Sequence, residues 1–503
     1  MQLCRHTLSR VQDTVSLPEF DPAHLRPGIV HLGCGNFHRA HQVAATQAAI
    51  GAMGREGLGW GIVSATMRKP DLAQALGRQD NLYALLTRGP RRTAVAVMAS
   101  ITNTVFARAR DAGLAERIAD PQTRIVTLTV TASGYYLTAQ GRLDSRAEAV
   151  RSDLAADRPR TALGILARGL ALVRKRGGVP PVILCCDNLS ENGQTLRQAV
   201  MDFASLRGND ALAEWIGASV QFPDSMVDRI VPAPTATDRD DARRLLGGLS
   251  DGAPVSAEPW FQWIIGRFEG DRPRWEAHTG TRFVPDVAVF ERAKLQMLNG
   301  THMLLAYAGA LAGLDTVAAA ASDPALGALA ARFMRLEQGA DVTLDEAELD
   351  EYAFELMRRF RNAAIAHRVE RVGRNGSAKL VTRVLRPMRA NLEAGVSVAG
   401  AHLVIASWIR WFILHEREAL RFVPVDPRSD TLVRLCATWR GDHQALVAAI
   451  LAREEIAGPA LPRHESQVAA IASLLDRFES APATAVLAEL ARQNAVMQPL
   501  VAC

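Results

Sequence analysis

The sequence lacks the patterns that mark several classes of protein. Its six cysteines include no CxxC pair, and no cysteine–histidine cluster has the spacing of a zinc site. It has neither the hydrophobic region of a signal peptide nor an uncharged apolar run of about 18 residues. These absences predict reduced thiols, a cytoplasmic location, no bound metal and no membrane span.

Lysine is also scarce. Of the 58 basic residues only four are lysines, namely Lys69, Lys175, Lys294 and Lys379. An arginine keeps its proton in a protein, whereas a desolvated lysine can titrate near neutrality. Lys294 is therefore the leading candidate for a titrating base. The formal net charge of +5 is spread along the chain, so nucleic acid is not a predicted partner.

A chain of 503 residues is too long for one hydrophobic core. In the first half, short strands rich in Val, Ile and Leu alternate with helical stretches, which predicts an α/β fold with a doubly wound, mainly parallel sheet. The predicted strands are 28–32, 60–66, 93–99, 124–131 and 182–186, and 161–176 is a predicted helix. From about residue 285 the pattern is helical. We predict a Rossmann-type dinucleotide-binding domain over 1–284 and a mostly helical substrate domain over 285–503.

The first predicted strand runs into a glycine-rich turn, residues 33–42 (GCGNFHRAHQ). Strand, glycine-rich turn and helix together form the cradle that a pyrophosphate needs, so Gly33, Gly35, Asn36 and Phe37 are candidate cofactor-binding residues. The third glycine of the fingerprint is replaced by His38, and an ordinary strand-to-helix turn is the alternative interpretation.

The second predicted strand ends without the acidic residue that an NAD site usually has there. Arg68 and Lys69 follow instead. Two cations would suit the 2′-phosphate of NADP, so Arg68 is a candidate cofactor contact. Solvated loop charges are the alternative.

Polar residues also follow the later strands. Asn188 comes directly after the predicted strand 182–186, where ligands of parallel sheets bind, although an Asx turn would explain it as well. The adjacent Asp228 and Arg229 lie between apolar residues. They form either a structural ion pair or an orienting element.

One apolar stretch, from about 283 to 314, carries a group of polar residues. If this stretch is a regular helix and Lys294 defines 0° around its axis, then Glu291 lies at about 60°, His302 at about 80° and Asn299 at about 140°. Burying these groups is unfavourable unless they pair or do chemistry. A catalytic face is therefore predicted, a satisfied polar network being the alternative. Asp286 is a candidate helix cap.

Over roughly residues 25–480, the chain resembles the mannitol dehydrogenase family of zinc-independent polyol dehydrogenases. The resemblance is carried by 33–42, 186–193 (CDNLSENG), 222–229 (FPDSMVDR) and 294–302 (KLQMLNGTH). It implies an N-terminal Rossmann-type domain, a helical C-terminal domain and a site in the cleft. It also implies NAD as cofactor, with NADP possible, and a polyol or keto-sugar as substrate. A monomer or weak oligomer is expected.

The resemblance also implies roles for individual residues. Lys294 corresponds to the general acid/base, Asn188 and Asn299 to the pair that polarises the carbonyl, and Glu291 to a residue that assists proton release. The positions that correspond to substrate-binding residues are His302, Asp228, Arg371 and Lys379.

Two departures from the family pattern leave alternatives open. Ala132 replaces an expected glutamate, so the family pattern does not determine which substrate is bound. Arg68 and Lys69 replace the usual residues after the second strand, so it does not determine the choice between NAD and NADP either. A hexuronate reductase is the second candidate function, because Arg371, Arg374 and Lys379 could hold a carboxylate. A non-catalytic nucleotide-binding module is the third.

Overall fold

The computed structural model describes residues 1–138, 140–365 and 367–497. It divides into two compact units, Met1–Ala288 and a second unit from Val289 onward. None of the helices in these described ranges is long and apolar enough to cross a membrane.

The first unit alternates strands and helices. Its strands are β1 (Pro27–Leu32), β2 (Gly61–Thr66), β3 (Tyr83–Arg88), β4 (Thr93–Met98), β5 (Ile101–Phe106), β6 (Ile125–Leu128), β7 (Val182–Cys185), β8 (Ser225–Asp228), β9 (Val255–Ala257), β10 (Gln262–Gly266) and β11 (Thr281–Val284). Its helices are α1 (Asn36–Ala40), α2 (Gln42–Met53), α3 (Asp71–Gly77), α4 (Leu114–Ile118), α5 (Glu148–Ala155), α6 (Ala162–Lys175), α7 (Asn192–Leu206), α8 (Asp210–Ser219) and α9 (Ala236–Leu245). Short 3₁₀ turns cover Arg5–Arg10, Pro22–His24, Glu56–Trp60, Ala132–Tyr135 and Trp275–Ala277.

The central sheet is parallel and has the strand order β5-β2-β1-β6-β7. It confirms the α/β prediction and the Rossmann-type arrangement. Strands β1, β2, β6 and β7 are buried and mostly apolar, as expected for a sheet covered on both faces. The predicted helix 161–176 is α6, and the side chain of Thr161 caps it by accepting a hydrogen bond from Gly164 N at 3.1 Å.

One strand was assigned to the wrong sheet. The predicted strand 93–99 is β4, but β4 pairs antiparallel with β3 in a separate sheet of order β4-β3-β9. The edge of the parallel sheet is β5, which the sequence analysis missed. Its sequence ITNTVF has three consecutive polar residues, and only Ile101 and Thr104 are buried, so the strand lacks the continuous apolar run of a central strand. A third sheet has the order β11-β10-β8.

The residues described beyond β11 form helices. They are α10 (Ala288–Ala293), α11 (Asn299–Leu311), α12 (Val317–Ser322), α13 (Pro324–Arg332), α14 (Glu346–Phe360), α15 (Val369–Val372), α16 (Gly376–Leu380), α17 (Arg386–Glu393), α18 (Ala399–Glu416), α19 (Ser429–Thr438), α20 (His443–Leu451), α21 (Glu454–Ala457), α22 (His464–Ser480) and α23 (Ala483–Met497). Three segments are π-helical: π1 (Lys294–Leu298), π2 (Phe333–Gln338) and π3 (Val381–Leu385).

Helix α11 is the core of the second unit. It is buried along almost its whole length and packs against α12, α13, α15 and α18. Tyr307 on α11 donates a hydrogen bond to Gly373 O at 3.0 Å, and its own carbonyl accepts one from Trp411 Nε1 at 3.0 Å. As predicted, Asp286 binds the start of the helical stretch, because its side chain accepts a hydrogen bond from Ala288 N at 2.8 Å.

Candidate active site

The turn after β1 has a backbone that only glycine fits well. Gly33 has φ = +108°, and a Cβ on it would come within 2.1 Å of Thr129 O. The N–H groups of Gly33 and Cys34 both donate to Ala65 O, at 2.9 and 2.7 Å. These bonds fold the turn tightly over the ends of β2 and β6.

The residues of this turn separate into an accessible set and a buried set. Gly33, Gly35, Asn36 and Phe37, the predicted cofactor contacts, are all partly accessible. Asn36 Oδ1 accepts a hydrogen bond from Arg39 Nη2 at 2.7 Å, and this arginine is buried. The predicted contacts therefore remain available at the surface of the turn.

His38, at the position of the third glycine, is fully buried and packs beneath the turn. Its ring stacks on His31 with centroids 3.3 Å apart, and its Nε2 lies 2.9 Å from Ser64 Oγ on β2. Burial lowers the pKa of His31 to about 3 and the pKa of His38 well below its ordinary value. Both rings are therefore neutral at physiological pH. The missing glycine is explained by an imidazole that fills the space between helix and sheet.

A carboxylate that the sequence analysis missed holds the loop after β6. Asp187 accepts hydrogen bonds from Val130 N at 2.7 Å, Thr131 N at 3.0 Å and the Tyr135 hydroxyl at 2.7 Å. Thr131 has φ = +69°, which is unfavourable for a β-branched residue. Burial raises the pKa of Asp187, and these three donors oppose the rise. The only sequence signal was its place beside Asn188 at the end of a strand.

The same loop contacts Arg68. The Arg68 guanidinium donates a long hydrogen bond, 3.4 Å, to Ser133 Oγ. Ala132, which replaces the expected glutamate, is exposed in the 3₁₀ turn that contains Ser133. Arg68 thus lies at the carboxyl edge of the parallel sheet, while its contact with a cofactor stays a prediction.

Asn188 lies exposed just beyond β7, on a backbone that is fixed by Asn192. The Asn192 amide donates to Cys185 O, Asp187 O and Ser225 O at 3.2, 3.0 and 2.7 Å, and its oxygen accepts from Ser225 N at 2.9 Å. Asn192 therefore joins the end of β7 to the start of β8. This is the physical reason that the two motifs 186–193 and 222–229 occur together.

Asp228 and Arg229 lie at the end of β8 and make different contacts. Asp228 is buried and accepts a hydrogen bond from Trp260 Nε1 at 3.0 Å. Arg229 Nε donates to Glu258 O at 3.1 Å, and its Nη1 donates to Ala40 O. Burial lowers the pKa of Arg229 to about 10, against the opposing charge of Glu258. The sequence analysis offered a structural ion pair or an orienting element. The bonds from Arg229 to backbone carbonyls fit the orienting element.

In the second unit, the prediction of a regular helix is wrong at the segment that contains Lys294. Residues Lys294–Leu298 form π1, and Asn299 N–H donates to the carbonyl of Lys294, five residues earlier. A π turn contains one residue more than an α turn. Asn299 therefore lies about one full turn along the helix from Lys294. The angle of about 140° expected from regular α-helical geometry does not apply.

The polar residues of this stretch differ in burial. Glu291, Lys294 and Asn299 are half-buried, whereas His302 is buried. The His302 ring contacts Phe360 and His367, each with centroids 4.8 Å away.

The imidazole of His302 is neutral and incompletely bonded. Its pKa lies well below the ordinary value, first because of burial, then because of His367, and then because of the cations Arg359, Arg383 and Lys379. Its Nε2 has no hydrogen-bond partner among the residues that the structure describes. A buried ring nitrogen without a partner is available to a bound molecule.

The predicted substrate residues on α15 and α16 also lie in this region. Arg371 is exposed, and Lys379 is half-buried with its Nζ 3.2 Å from Val372 O. Burial, and secondly the charge of Arg383, lowers the pKa of Lys379 to about 8. Lys379 acts on the pKa of both His302 and His367, and Arg371 on that of His367. The second unit therefore brings His302, Lys379 and Arg371 together, and it adds Arg383, which the sequence analysis missed.

Among the described residues there is no group of three or more His, Cys, Asp or Glu side chains that could hold a metal ion. The prediction of a zinc-independent site stays a prediction.

Two family models match this chain. The mannitol dehydrogenase Rossmann domain matches residues 27–277, and the mannitol dehydrogenase C-terminal domain matches residues 286–479. The chain belongs to the mannitol dehydrogenase family. The predicted resemblance is thereby confirmed.

Relatives within the mannitol dehydrogenase family match most of the chain. It is 34% identical to the D-mannonate oxidoreductase of Escherichia coli over 91% of this chain and 94% of that protein. It is 36% identical to the mannitol 2-dehydrogenase of Cereibacter sphaeroides over 82% and 87% of the two chains. The solved Pseudomonas fluorescens mannitol 2-dehydrogenase, a ternary complex with NAD and D-mannitol, matches with a TM-score of 0.82 and 32% identity over 98% and 100% of the two chains.

Proposed function

We propose that this protein is an NAD-dependent dehydrogenase that oxidises a secondary alcohol of a sugar alcohol to the ketose and catalyses the reverse reduction. The observation that carries the proposal is the full-length match to a mannitol 2-dehydrogenase solved with NAD and D-mannitol. Mannitol, arabinitol and sorbitol represent the proposed substrate class. NAD would accept the hydride from the carbinol carbon.

In this proposal the first domain, 1–284, binds the dinucleotide and the second domain, 285–503, supplies the base and the substrate contacts. A Cβ on Gly33 would meet Thr129 O, so glycine at this position lets the turn pack closely against the loop after β6. A Cβ on Gly35 would meet only Gly33 O, at 3.7 Å, so the accessible side of the turn is open. Such a turn at the carboxyl ends of parallel strands is where a pyrophosphate is bound.

Lys294 is the proposed general base. As the hydride leaves the carbinol carbon, the hydroxyl proton passes to the neutral Lys294 amine, so that carbon and oxygen become a carbonyl. In the reverse direction the ammonium returns the proton. An arginine at this position could not alternate between these states. A positioned base of this kind typically contributes about 10²–10⁴ in rate.

Asn299 is the proposed amide donor to the same oxygen. The π turn places it about one turn from Lys294, so that both side chains belong to one side of the helix. Asn188 is proposed as a second amide donor, and removal of one such donor typically lowers the rate about 10²–10³-fold. Glu291 is proposed to pass the proton to solvent. With a protein base and amide donors, the reaction needs no zinc.

The substrate hydroxyls are proposed to bind His302, Asp228, Arg371 and Lys379. His302 is the best supported of these, because its buried Nε2 lacks a partner among the described residues. Reduction of a hexuronate is a second candidate, since a D-mannonate oxidoreductase is among the relatives and cations surround His302. A cytoplasmic location and a monomer or weak oligomer remain predictions from the sequence.

The test measures reduced cofactor formation from mannitol, arabinitol, sorbitol and mannonate, with NAD and NADP in parallel. Turnover of a polyol with NAD is expected. Lys294→Ala should lower kcat by roughly 10²–10⁴-fold, while the affinity for NAD is unchanged. Lys175→Ala is the matched control, since Lys175 is an exposed lysine in the last turn of α6. Cofactor binding without turnover of any substrate would indicate a non-catalytic module.

A further inference from the structure

A second histidine contacts His302 in the second unit. The ring of His367 lies edge-on to the ring of His302, with centroids 4.8 Å apart and an angle of 86° between the two planes. Phe360 also packs against His302, with centroids 4.8 Å apart. His302 therefore contacts both an apolar ring and another imidazole. His367 was not a predicted site residue, although it lies between two motifs that contain them.

Each of the two imidazoles has a buried ring nitrogen that lacks a partner. Nδ1 of His367 and Nε2 of His302 have no hydrogen-bond partner among the residues that the structure describes. Burial of a polar nitrogen without a hydrogen bond is unfavourable, and such nitrogens are rare in folded proteins. A bound molecule that supplies the missing partner removes this penalty. Two such nitrogens on neighbouring rings indicate a ligand with two hydrogen-bonding groups close together.

The surroundings of His367 keep its ring neutral. Burial lowers the pKa of His367 first, and the charges of Arg371 and Lys379 lower it further. The pKa of His302 is lowered as well. A neutral imidazole has one N–H donor and one acceptor nitrogen. Hydroxyl groups both donate and accept, so they match either nitrogen, whereas an ionised carboxylate only accepts.

The backbone around His367 is held by the start of α12. The His367 carbonyl accepts a hydrogen bond from Val317 N at 2.9 Å, and Val317 is the first residue of α12. The next residue, Arg368, forms an isolated antiparallel bridge with Thr316. These contacts are made by the main chain and do not depend on the imidazole. Replacement of the ring is therefore expected to leave the backbone in place.

We propose that His367 is a further substrate-binding residue, which together with His302 binds two neighbouring hydroxyl groups of the polyol. Each unpartnered ring nitrogen donates to or accepts from one hydroxyl, according to its tautomer. His367 thereby selects among polyols by the pattern of their hydroxyl groups. The inference rests on the proposed function, because its ligand is the substrate of that reaction.

The first experiment measures the oxidation of D-mannitol by wild type, His367→Phe and His367→Asn. Phenylalanine keeps a planar ring beside His302 and removes the polar nitrogens, so KM for mannitol should rise roughly 5- to 30-fold. The value of kcat and the affinity for NAD should change little, because the reacting groups are not altered. Asparagine places an amide close to the position of Nδ1 and should restore much of the lost affinity.

Deoxy derivatives of D-fructose identify the hydroxyl that His367 binds. Fructose is the ketose that oxidation of mannitol at C2 yields, and its carbonyl fixes the orientation of the chain in the reductive direction. The ratio of kcat/KM in wild type to kcat/KM in His367→Phe is compared for fructose and for each derivative. For the derivative that lacks the contacted hydroxyl, this ratio should fall to about twofold or less, since both changes remove the same bond.

His402→Phe is the matched control. His402 is a half-buried histidine of the same unit, burial lowers its pKa, and its Nε2 lies 2.7 Å from Gln467 Oε1. Its replacement should lower Tm through the lost hydrogen bond without a change in KM for mannitol. His367→Phe should show the opposite pattern. If His367→Phe does not fold, His367→Ala takes its place in every comparison.

The outcomes separate this inference from the proposed function. An unchanged KM in the His367 variant, or the same ratio for fructose and every deoxy derivative, would overturn the role of His367 and leave the dehydrogenase intact. Calorimetry with NADH, which cannot accept a hydride, measures mannitol binding without turnover. Binding that weakens in the His367 variant, without turnover of any polyol by wild type, would uphold the contact and overturn the dehydrogenase. Neither binding nor turnover of any polyol by wild type would overturn both.

Discussion

Substitution of Gly300 by alanine tests the packing that supports the proposed catalytic turn. Gly300 is the second residue of α11, directly after Asn299, and it is buried. A Cβ added there would meet Arg383 O at 2.8 Å and the side chain of Gln338 at 2.9 Å. The first neighbour is backbone, and Gln338 is only 1% exposed. Neither can move aside by a simple change of rotamer.

The expected magnitude follows from these distances. Ordinary contacts of a Cβ begin near 3.4 Å, so the neighbours must separate by about 0.6 Å. Overpacking of this kind typically destabilises by about 1–3 kcal/mol, while alanine gains about 1 kcal/mol in helix propensity over glycine. A net loss of up to about 2 kcal/mol in the free energy of unfolding is expected, which corresponds to a decrease in Tm of up to roughly 8 °C.

The effect on activity should exceed the effect on stability. A displacement of this size moves Asn299 relative to the reacting groups, and a misplacement of about 1 Å can lower a rate about 10²-fold. We expect kcat/KM for mannitol to fall roughly tenfold or more. Gly77→Ala is the control, because nothing lies within 4 Å of a Cβ at that position at the end of α3. If both variants keep the Tm and kcat/KM of the wild type, the packing argument is refuted.

Two other substitutions test buried carboxylates. Asp187→Asn leaves one of the three donors from the loop after β6 without an acceptor, which destabilises the folded loop by about 1–3 kcal/mol. KM for NAD should therefore rise in steady-state kinetics. A loss of Tm without a change in this KM would show a purely structural role. Burial raises the pKa of Glu337 from 4.5 to about 7. Between these pH values the folded state binds more protons than the unfolded state, so the free energy of unfolding falls as pH rises. About 3 kcal/mol of stability that is present below pH 4.5 is therefore lost once pH has risen through 7. Glu337→Gln should therefore gain stability relative to wild type between about pH 5 and pH 8 in urea unfolding, and parallel pH profiles would contradict the assignment.

Much of the first unit could be predicted from local sequence. Short runs such as residues 182–185 (VILC) are apolar at every position, because parallel strands are buried on both faces. What local sequence does not contain is the partner of each strand. β4 and β5 are separated by two residues, yet they belong to different sheets. That choice depends on long-range pairing, with β9 completing the sheet of β3 and β4.

The glycine-rich turn shows a different limit. The sequence shows only that His38 replaces the third glycine of the dinucleotide-binding motif. The compensation comes from residues far along the chain, since His31 stacks on the ring and Ser64 contacts its Nε2. Two histidines and a serine on three different elements have no recognisable spacing. Their association is visible only once β1, β2 and α1 are packed.

Arg383 was missed because nothing about it is unusual in a chain so rich in arginine. Its distinguishing property is its place near His302 and Lys379, and such neighbours are a feature of the folded unit. Scarcity identified Lys294 and Lys379 because it is a property of composition.

The π turn at Lys294 connects the geometry of the second unit to its proposed chemistry. In a regular helix, Lys294 and Asn299 would be about 140° apart around the helix axis. One extra residue per turn is less favourable than α geometry, and such turns therefore persist where packing enforces them. Here π1 contacts both π2 and π3, and Gly300 lets the backbone of π3 and Gln338 of π2 come close. The side chains of Gln296 in π1 and Gln338 in π2 each keep a buried oxygen without a partner among the described residues. The relative placement of the proposed base and the proposed amide donor therefore depends on three helical segments packed together, so we expect residues that never contact the substrate to control the rate.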